Sequence, residues 1–185
     1  RGLGDVYKRQ EWFGRNVEAL KQVQPEPLKP EDISFVLGST WIPVKYYRDF
    51  MYEKFATSKH NRDSNIHIEF AEYTGTYFIT EKRAERDSIA ANKTYGTERL
   101  NAYEIMEYTL NLKTVEVRDR QEYEDPETGE EKVRYVLNKR ETLLAREKQA
   151  QIKMEFESWL FAEPERGAAL TQLYNDRLNN IRPRT

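Results

Sequence analysis

Apolar and polar positions alternate between two periods along this chain, and the switches mark out the elements. Tyr47, Phe50, Met51 and Phe55 fall at i, i+3, i+4 and i+8, the core stripe of an amphipathic helix. Pro43 suits its first helical position. Over residues 65–80 the period drops to two, with Ile66, Ile68 and Phe70, then Tyr77 and Ile79, around a turn-prone Tyr73-Thr74-Gly75-Thr76. That pattern predicts a β-hairpin. Residues 81–93 are highly charged and read as a mobile stretch with a short helical piece near Ile89.

Helical spacing returns at Leu100, Tyr103, Met106 and Leu110, with Thr97 as the expected N-cap. Val115 and Val117, then Val133, Tyr135 and Leu137, predict a second hairpin whose tip is Asp125-Pro126-Glu127-Thr128-Gly129. Residues 138–162 give the clearest helix, with Leu144, Lys148, Ile152, Phe156 and Trp159 or Leu160 along its expected core face. Glu163-Pro164-Glu165 breaks it, and Leu170, Leu173, Tyr174 and Leu178 stripe a last helix that Pro183 is expected to end. The fold class is therefore α+β: two β-hairpins packed with amphipathic helices and a C-terminal αα-hairpin.

The two ends change the domain picture. A short helix over residues 11–23 leads into Pro25, Pro27 and Pro30, a stiff linker in which a helix cannot continue. Residues 5–10, Asp5-Val6-Tyr7-Lys8-Arg9-Gln10, back-translate to a transposon end used in building sequencing libraries, so residues 1–10 read as an adapter scar. The expected divisions are 1–10 as scar, 11–30 as helix and linker, 31–137 as an α+β domain and 138–185 as the αα-hairpin.

Composition removes several classes of chemistry. Among 185 residues there is no Cys, which excludes disulfides, thiol nucleophiles and thiolate metal sites and suits a reducing cytoplasm. Aromatic residues make up 12%, too many for a disordered chain, so the 34% of charged residues is expected to coat folded elements. No apolar run approaches a membrane span. His60 and His67, the two histidines, have no ligand pattern around them and no metal is expected. Gly38-Ser39-Thr40 lacks the lysine of a nucleotide loop and reads as a plain turn. At Thr94-Tyr95-Gly96-Thr97, Tyr95 is expected to pack where a helix begins rather than to stack on a base. No G-x-S-x-G, nucleotide loop or paired-carboxylate motif stands, so no catalytic residue is assigned.

Charge gives the one positive lead. The chain carries a net charge of −2, so contact with nucleic acid needs a local patch. Lys139, Arg140, Arg146, Lys148 and Lys153, against Glu141 and Glu147, give a net +3 over residues 138–153. A cationic helix of this kind is a candidate DNA-binding surface; an ordinary solvated helix face is the competing reading. Glu122, Glu124, Asp125, Glu127, Glu130 and Glu131 in the second hairpin would repel a phosphate backbone.

Several stretches occur together and in order. They are Gly14-Arg15-Asn16-Val17-Glu18-Ala19-Leu20-Lys21-Gln22-Val23-Gln24-Pro25, then Leu37-Gly38-Ser39-Thr40-Trp41-Ile42-Pro43, then Thr94-Tyr95-Gly96-Thr97. Asn101-Ala102-Tyr103, Thr109-Leu110-Asn111-Leu112, Leu137-Asn138-Lys139-Arg140-Glu141-Thr142 and Asn179-Asn180-Ile181-Arg182-Pro183-Arg184 follow. As a set, covering residues 11–184, they resemble the very large methyltransferase–helicase proteins of bacterial conjugative elements and phages. In those proteins an N-terminal part resembles an adenine-specific DNA methylase and a C-terminal part an SNF2-like, DEAD/DEAH-related helicase. The resemblance places this region between the two. It implies a parent that works on DNA with ATP, Mg and S-adenosylmethionine, no cofactor in this region, and methylase and helicase domains as intramolecular partners. The expected role is a non-catalytic accessory segment that assists DNA engagement; the alternative is a coupler between methylase and helicase that touches no DNA.

Overall fold

The computed structural model describes residues 3–23 and 25–179. Arg1, Gly2, Gln24 and residues 180–185, with the expected helix end at Pro183 among them, lie outside the described residues. The chain divides into two compact units, Arg1–Ser34 with Pro164–Thr185, and Phe35–Glu163. The architecture is α+β, with two separate two-stranded antiparallel hairpins and a C-terminal pair of consecutive helices.

The first unit holds helix α1 (Leu3–Val23), a 3-10 turn (Pro30–Asp32) and a C-terminal helix, Pro164–Arg177. Helix α1 thus begins well before residue 11, and its Trp12 and Phe13 are exposed. The proline-rich stretch is fastened rather than loose. Asn175 accepts the Leu28 N–H at 2.7 Å and donates to the Leu28 carbonyl at 2.9 Å. Asn179 donates to the Glu26 carbonyl at 2.9 Å. A chain rich in proline has few backbone donors and makes no helix, so side-chain amides supply its partners.

The second unit is built on helices α2 (Val44–Lys54), α3 (Lys59–Ser64), α4 (Ala102–Leu110) and α5 (Lys139–Ala162); the C-terminal helix is α6. Its hairpins are β1 (Ile68–Ala71) with β2 (Thr76–Ile79), and β3 (Arg118–Glu124) with β4 (Glu131–Leu137). Tyr47, Phe50, Met51 and Phe55 are all fully buried, as their spacing predicts. Phe156 of α5 lies 5.2 Å from the Phe50 ring and 5.4 Å from that of Tyr47, while Phe55 meets Tyr103 edge-on at 5.3 Å. Offset and edge-on rings at these separations add to the burial that drives the core.

Several local expectations are corrected. Pro43 precedes α2 as its N-cap instead of starting it. His60, for which the apolar pattern predicts no helix, lies in α3. The piece near Ile89 is a single π turn, Ala90–Thr94, in which the Tyr95 N–H reaches the Ala90 carbonyl at 2.9 Å. The stretch around it is tied down, since Asn92 donates to the carbonyls of Glu85, Arg86 and Ser88 at 2.8 to 3.0 Å. Helix α4 starts at Ala102, where Asn101 accepts the Glu104 N–H at 3.0 Å, so Asn101 and not Thr97 is the cap. Thr97 instead closes a tight turn onto Leu100, whose carbonyl accepts its N–H at 2.7 Å. On α5, Leu144 is 39% exposed and Lys148 half-buried, while Thr142 and Gln149 are buried in their place.

That exchange has a physical cause. Residues 113–117 run beside α5 and, among the described residues, have no strand partner. Thr142 Oγ1 accepts the Val117 N–H at 3.0 Å, and Gln149 Oε1 accepts the Val115 N–H at 3.3 Å. Gln149 Nε2 donates to the Lys113 carbonyl at 2.8 Å and Arg146 Nε to that of Val115 at 3.2 Å. Three α5 side chains at i, i+4 and i+7 stand in for a neighbouring strand, so two of them must be polar and buried.

Candidate nucleic-acid interface

The five cations of α5 do not form one ridge. With about 100° of rotation per residue, positions seven apart return to within about 20° of one another. Lys139, Arg146 and Lys153 therefore follow one flank, and Lys148 sits on the opposite one. Lys139, Arg140, Arg146 and Lys153 are exposed. Arg146 is partly committed: besides its bond to Val115, its guanidinium lies 4.0 Å from Glu116. Lys148 donates to the Thr94 carbonyl at 3.0 Å.

Arg140 and Lys148 instead belong to a second grouping that the α5 pattern alone does not contain. They line a hollow of about 440 Å³ together with Lys93, Gly96, Thr97 and Leu144. A neighbouring hollow of about 350 Å³ is lined by Arg83, Arg86, Arg99 and Asn101. Asn92, Thr97 and Glu98 border both hollows, so the two adjoin across a saddle made by the π turn and the turn after it. Six cations, Arg83, Arg86, Lys93, Arg99, Arg140 and Lys148, face three carboxylates, Glu98, Glu104 and Glu141.

The local chain explains why the saddle is open. Gly96 is buried, and a Cβ there would overlap the Ala91 carbonyl, so the turn closes tightly under the hollows. Tyr95 points inward: its ring packs 5.4 Å from Phe55, and its hydroxyl donates to Glu155 at 2.5 Å. Burial, then the bond to Glu155, pushes its pKa up to about 12. Tyr95 therefore packs where the sequence expects, and it offers no face to a base.

The cations differ in what already holds them. Arg83 is paired with Glu104 at 2.7 Å and Arg99 with Asp119 at 2.6 Å. The Arg99 guanidinium, with Asn138, holds the Asp119 carboxyl below its usual range. Among the described residues, the side chains of Arg86, Lys93 and Arg140 make no ion pair or hydrogen bond. Charges left unpaired at the rim of an open hollow attract a diffusing anion, because no internal carboxylate has to be displaced first. The cluster of arginines and a lysine at positions 83–99, on both sides of a buried glycine turn at Gly96, was the signal that could have revealed this grouping.

The other sequence candidates are quieter. The Gly38 N–H is taken by the Tyr47 hydroxyl at 3.2 Å, and that hydroxyl donates to the Ser39 carbonyl at 2.6 Å, so this turn presents no anion cradle. His67 Nδ1 lies 3.4 Å from the Tyr52 hydroxyl, and His60 is exposed. Among the described residues no group of three His, Asp or Glu side chains could hold a metal. No helix among them is long and apolar enough to cross a membrane.

Residues 36–180 match the family model described as "Domain of unknown function (DUF8437)". No curated protein and no solved structure matches the chain.

Proposed function

This chain belongs to the DUF8437 family, and we propose that within it the Phe35–Glu163 unit is a non-catalytic module that engages the phosphate backbone of DNA for a larger ATP-dependent DNA-processing protein. The observation that carries this reading is the saddle at Asn92, Thr97 and Glu98, where six cations outnumber the three lining carboxylates and Asp119 beside Arg99, in a chain whose net charge is −2. Backbone phosphates are recognised by such local excess, independent of base sequence. A π turn at the saddle adds weight, since such turns recur at functional positions. The ordered sequence stretches that resemble methyltransferase–helicase proteins of mobile elements supply the parent, with ATP, Mg and S-adenosylmethionine acting in its other domains and the cytoplasm as its setting.

The route differs from the basic ridge that α5 suggests by itself. Arg140 and Lys148 contribute to the saddle, Lys139 and Lys153 lie on the flank of α5 opposite Lys148 and outside it, and Arg146 serves mainly to hold residues 113–117. The coupler reading rests on a separate observation, the exposure of Leu143 (63%) and Met154 (72%) on the outward side of α5.

Fluorescence anisotropy with labelled duplex and single-stranded DNA across a salt series tests the proposal. The expected result is binding that weakens steeply with salt. Arg86→Glu with Arg140→Glu is expected to weaken it at least tenfold and to flatten the log–log salt slope by about two, one per lost phosphate contact. Equal binding by wild type and double variant, or no binding at low salt by a folded chain, overturns it and leaves the coupler.

A further inference from the structure

The β3–β4 hairpin stands apart from the packing that fixes the rest of its unit. All seven residues of β4 are exposed, and six of seven in β3. Among the described residues each strand has only the other as its strand partner. An isolated two-stranded ribbon is marginally stable in water, and its open edges template pairing with another strand.

The register states which groups of β4 are open. Strand pairing runs from Arg118 with Leu137 to Glu124 with Glu131. Just beyond the two ends, the Asn138 N–H reaches the Val117 carbonyl at 2.8 Å and the Asp125 N–H reaches that of Glu130 at 2.9 Å. Bonded pairs recur at every second residue of an antiparallel ladder. Lys132, Arg134 and Val136 therefore turn their N–H and C=O groups to β3. Val133, Tyr135 and Leu137 turn theirs outward, and the same three side chains share one face, where they are 45%, 63% and 38% exposed.

We propose that this edge pairs with the same edge of a second copy of the chain, joining two hairpins across a two-fold axis at Tyr135 into a four-stranded antiparallel sheet. A two-fold contact is self-complementary, so the residue on the axis fixes every other pair. With Tyr135 on the axis, Tyr135 meets Tyr135 and each Val133 meets Leu137 of the other copy. Glu131 then approaches Lys139 of the other copy, at the cationic start of α5. An axis at Arg134 sets two arginines opposite one another, and an axis at Val133 sets Lys132 opposite Arg134; both juxtapose like charges. Of these three axes charge complementarity favours Tyr135, the register that also pairs Val133 with Leu137 and brings Glu131 to Lys139. It also uses the N–H and C=O groups that β3 leaves open.

The chain has no cysteine, so single cysteines report the contact cleanly. Under mild oxidation Tyr135→Cys is expected to give a disulfide-linked dimer. Tyr123→Cys, on β3 and on the other face of the ribbon, is expected to remain monomeric. Sedimentation equilibrium is expected to give twice the chain mass for wild type and the single mass for Tyr135→Pro. That proline removes an outward N–H and spares the bonds to β3, so its circular dichroism is expected to match wild type. A monomeric wild type, a dimer that survives Tyr135→Pro, or equal crosslinking at residues 123 and 135 overturns the proposal.

Discussion

The two hairpins are built alike and end up in opposite surroundings. β1 and β2 are four residues each, yet Tyr77 and Ile79 are only 2% and 3% exposed. β3 and β4 are seven residues each and stay at the surface. Length is not the deciding factor; what covers the edge is. The open side of β2 is closed by α4. Asn111 accepts the Tyr77 N–H at 2.8 Å and donates to its carbonyl at 2.9 Å, while Glu107 accepts the Ile79 N–H at 2.8 Å. Lys82 balances the Glu107 carboxylate at 2.8 Å. Helix α5 does the same for residues 113–117 through Thr142, Arg146 and Gln149. Among the described residues no helix performs that service for β4. A helix side chain of the right length thus substitutes for a strand, and a strand without one remains available to a partner.

The strongest way to break the contrast is to remove the core on which the covered hairpin rests. Phe156 is fully buried between Tyr47 and Phe50. Phe156→Ala is expected to cost about 3–5 kcal/mol, the range for emptying a buried aromatic position. Urea unfolding followed by tryptophan fluorescence reads it, because Trp159 lies 6.2 Å from the Phe156 ring. A loss below about 1 kcal/mol, the size of an ordinary substitution, would show that the packing centre lies elsewhere.

Next in size is the edge closure itself. Asn111→Ala leaves the Tyr77 N–H and carbonyl without their partners in a half-buried setting, which is expected to cost about 1–3 kcal/mol. Hydrogen exchange of the Tyr77 amide is expected to accelerate in the variant, with the β3–β4 amides unchanged. Unaltered exchange at Tyr77 would mean that Asn111 is not what closes this edge.

These closures also mark where sequence reasoning stops. The first hairpin, β4, the α2 stripe and the extent of α5 follow from local period, since Tyr47, Phe50 and Ile79 carry their burial in their spacing; β3 does not, because the alternating Val115 and Val117 lie ahead of it, beside α5, and the strand is the polar Arg118–Glu124. Thr142, Gln149 and Asn111 do not. Each is polar and each bonds backbone more than 20 residues away, so no window of neighbours distinguishes it from a solvated side chain. For the same reason Leu144 looked like core and Thr142 did not. Helix starts are legible in the sequence: Asn101 with Glu104, and Asn138 with Glu141, share one capping pattern, an acceptor followed three residues later by glutamate. At the candidate interface Arg140 and Lys148 were visible as charges. Their convergence with Arg86 and Lys93 depends on the fold, because 47 residues separate Lys93 from Arg140.

The smallest effect belongs to the uncovered hairpin, and it is the most discriminating. Val133 is 45% exposed, on a face that no helix among the described residues covers. In dilute solution Val133→Ala is expected to change stability by no more than about 0.5 kcal/mol, as surface substitutions away from special features do. Ile79→Ala, in the covered hairpin, is expected to lose about 2–5 kcal/mol from the same kind of truncation. Raising the protein concentration sharpens the difference. If β4 pairs with a second copy, Val133 packs against Leu137 only in the dimer, so the cost of Val133→Ala grows with concentration while that of Ile79→Ala stays fixed, because association adds to stability by mass action. Unfolding midpoints for both variants across a concentration series measure this directly. A Val133→Ala cost that is large when dilute and flat with concentration would mean that this face is covered within one chain, and the contrast between the two hairpins would fail.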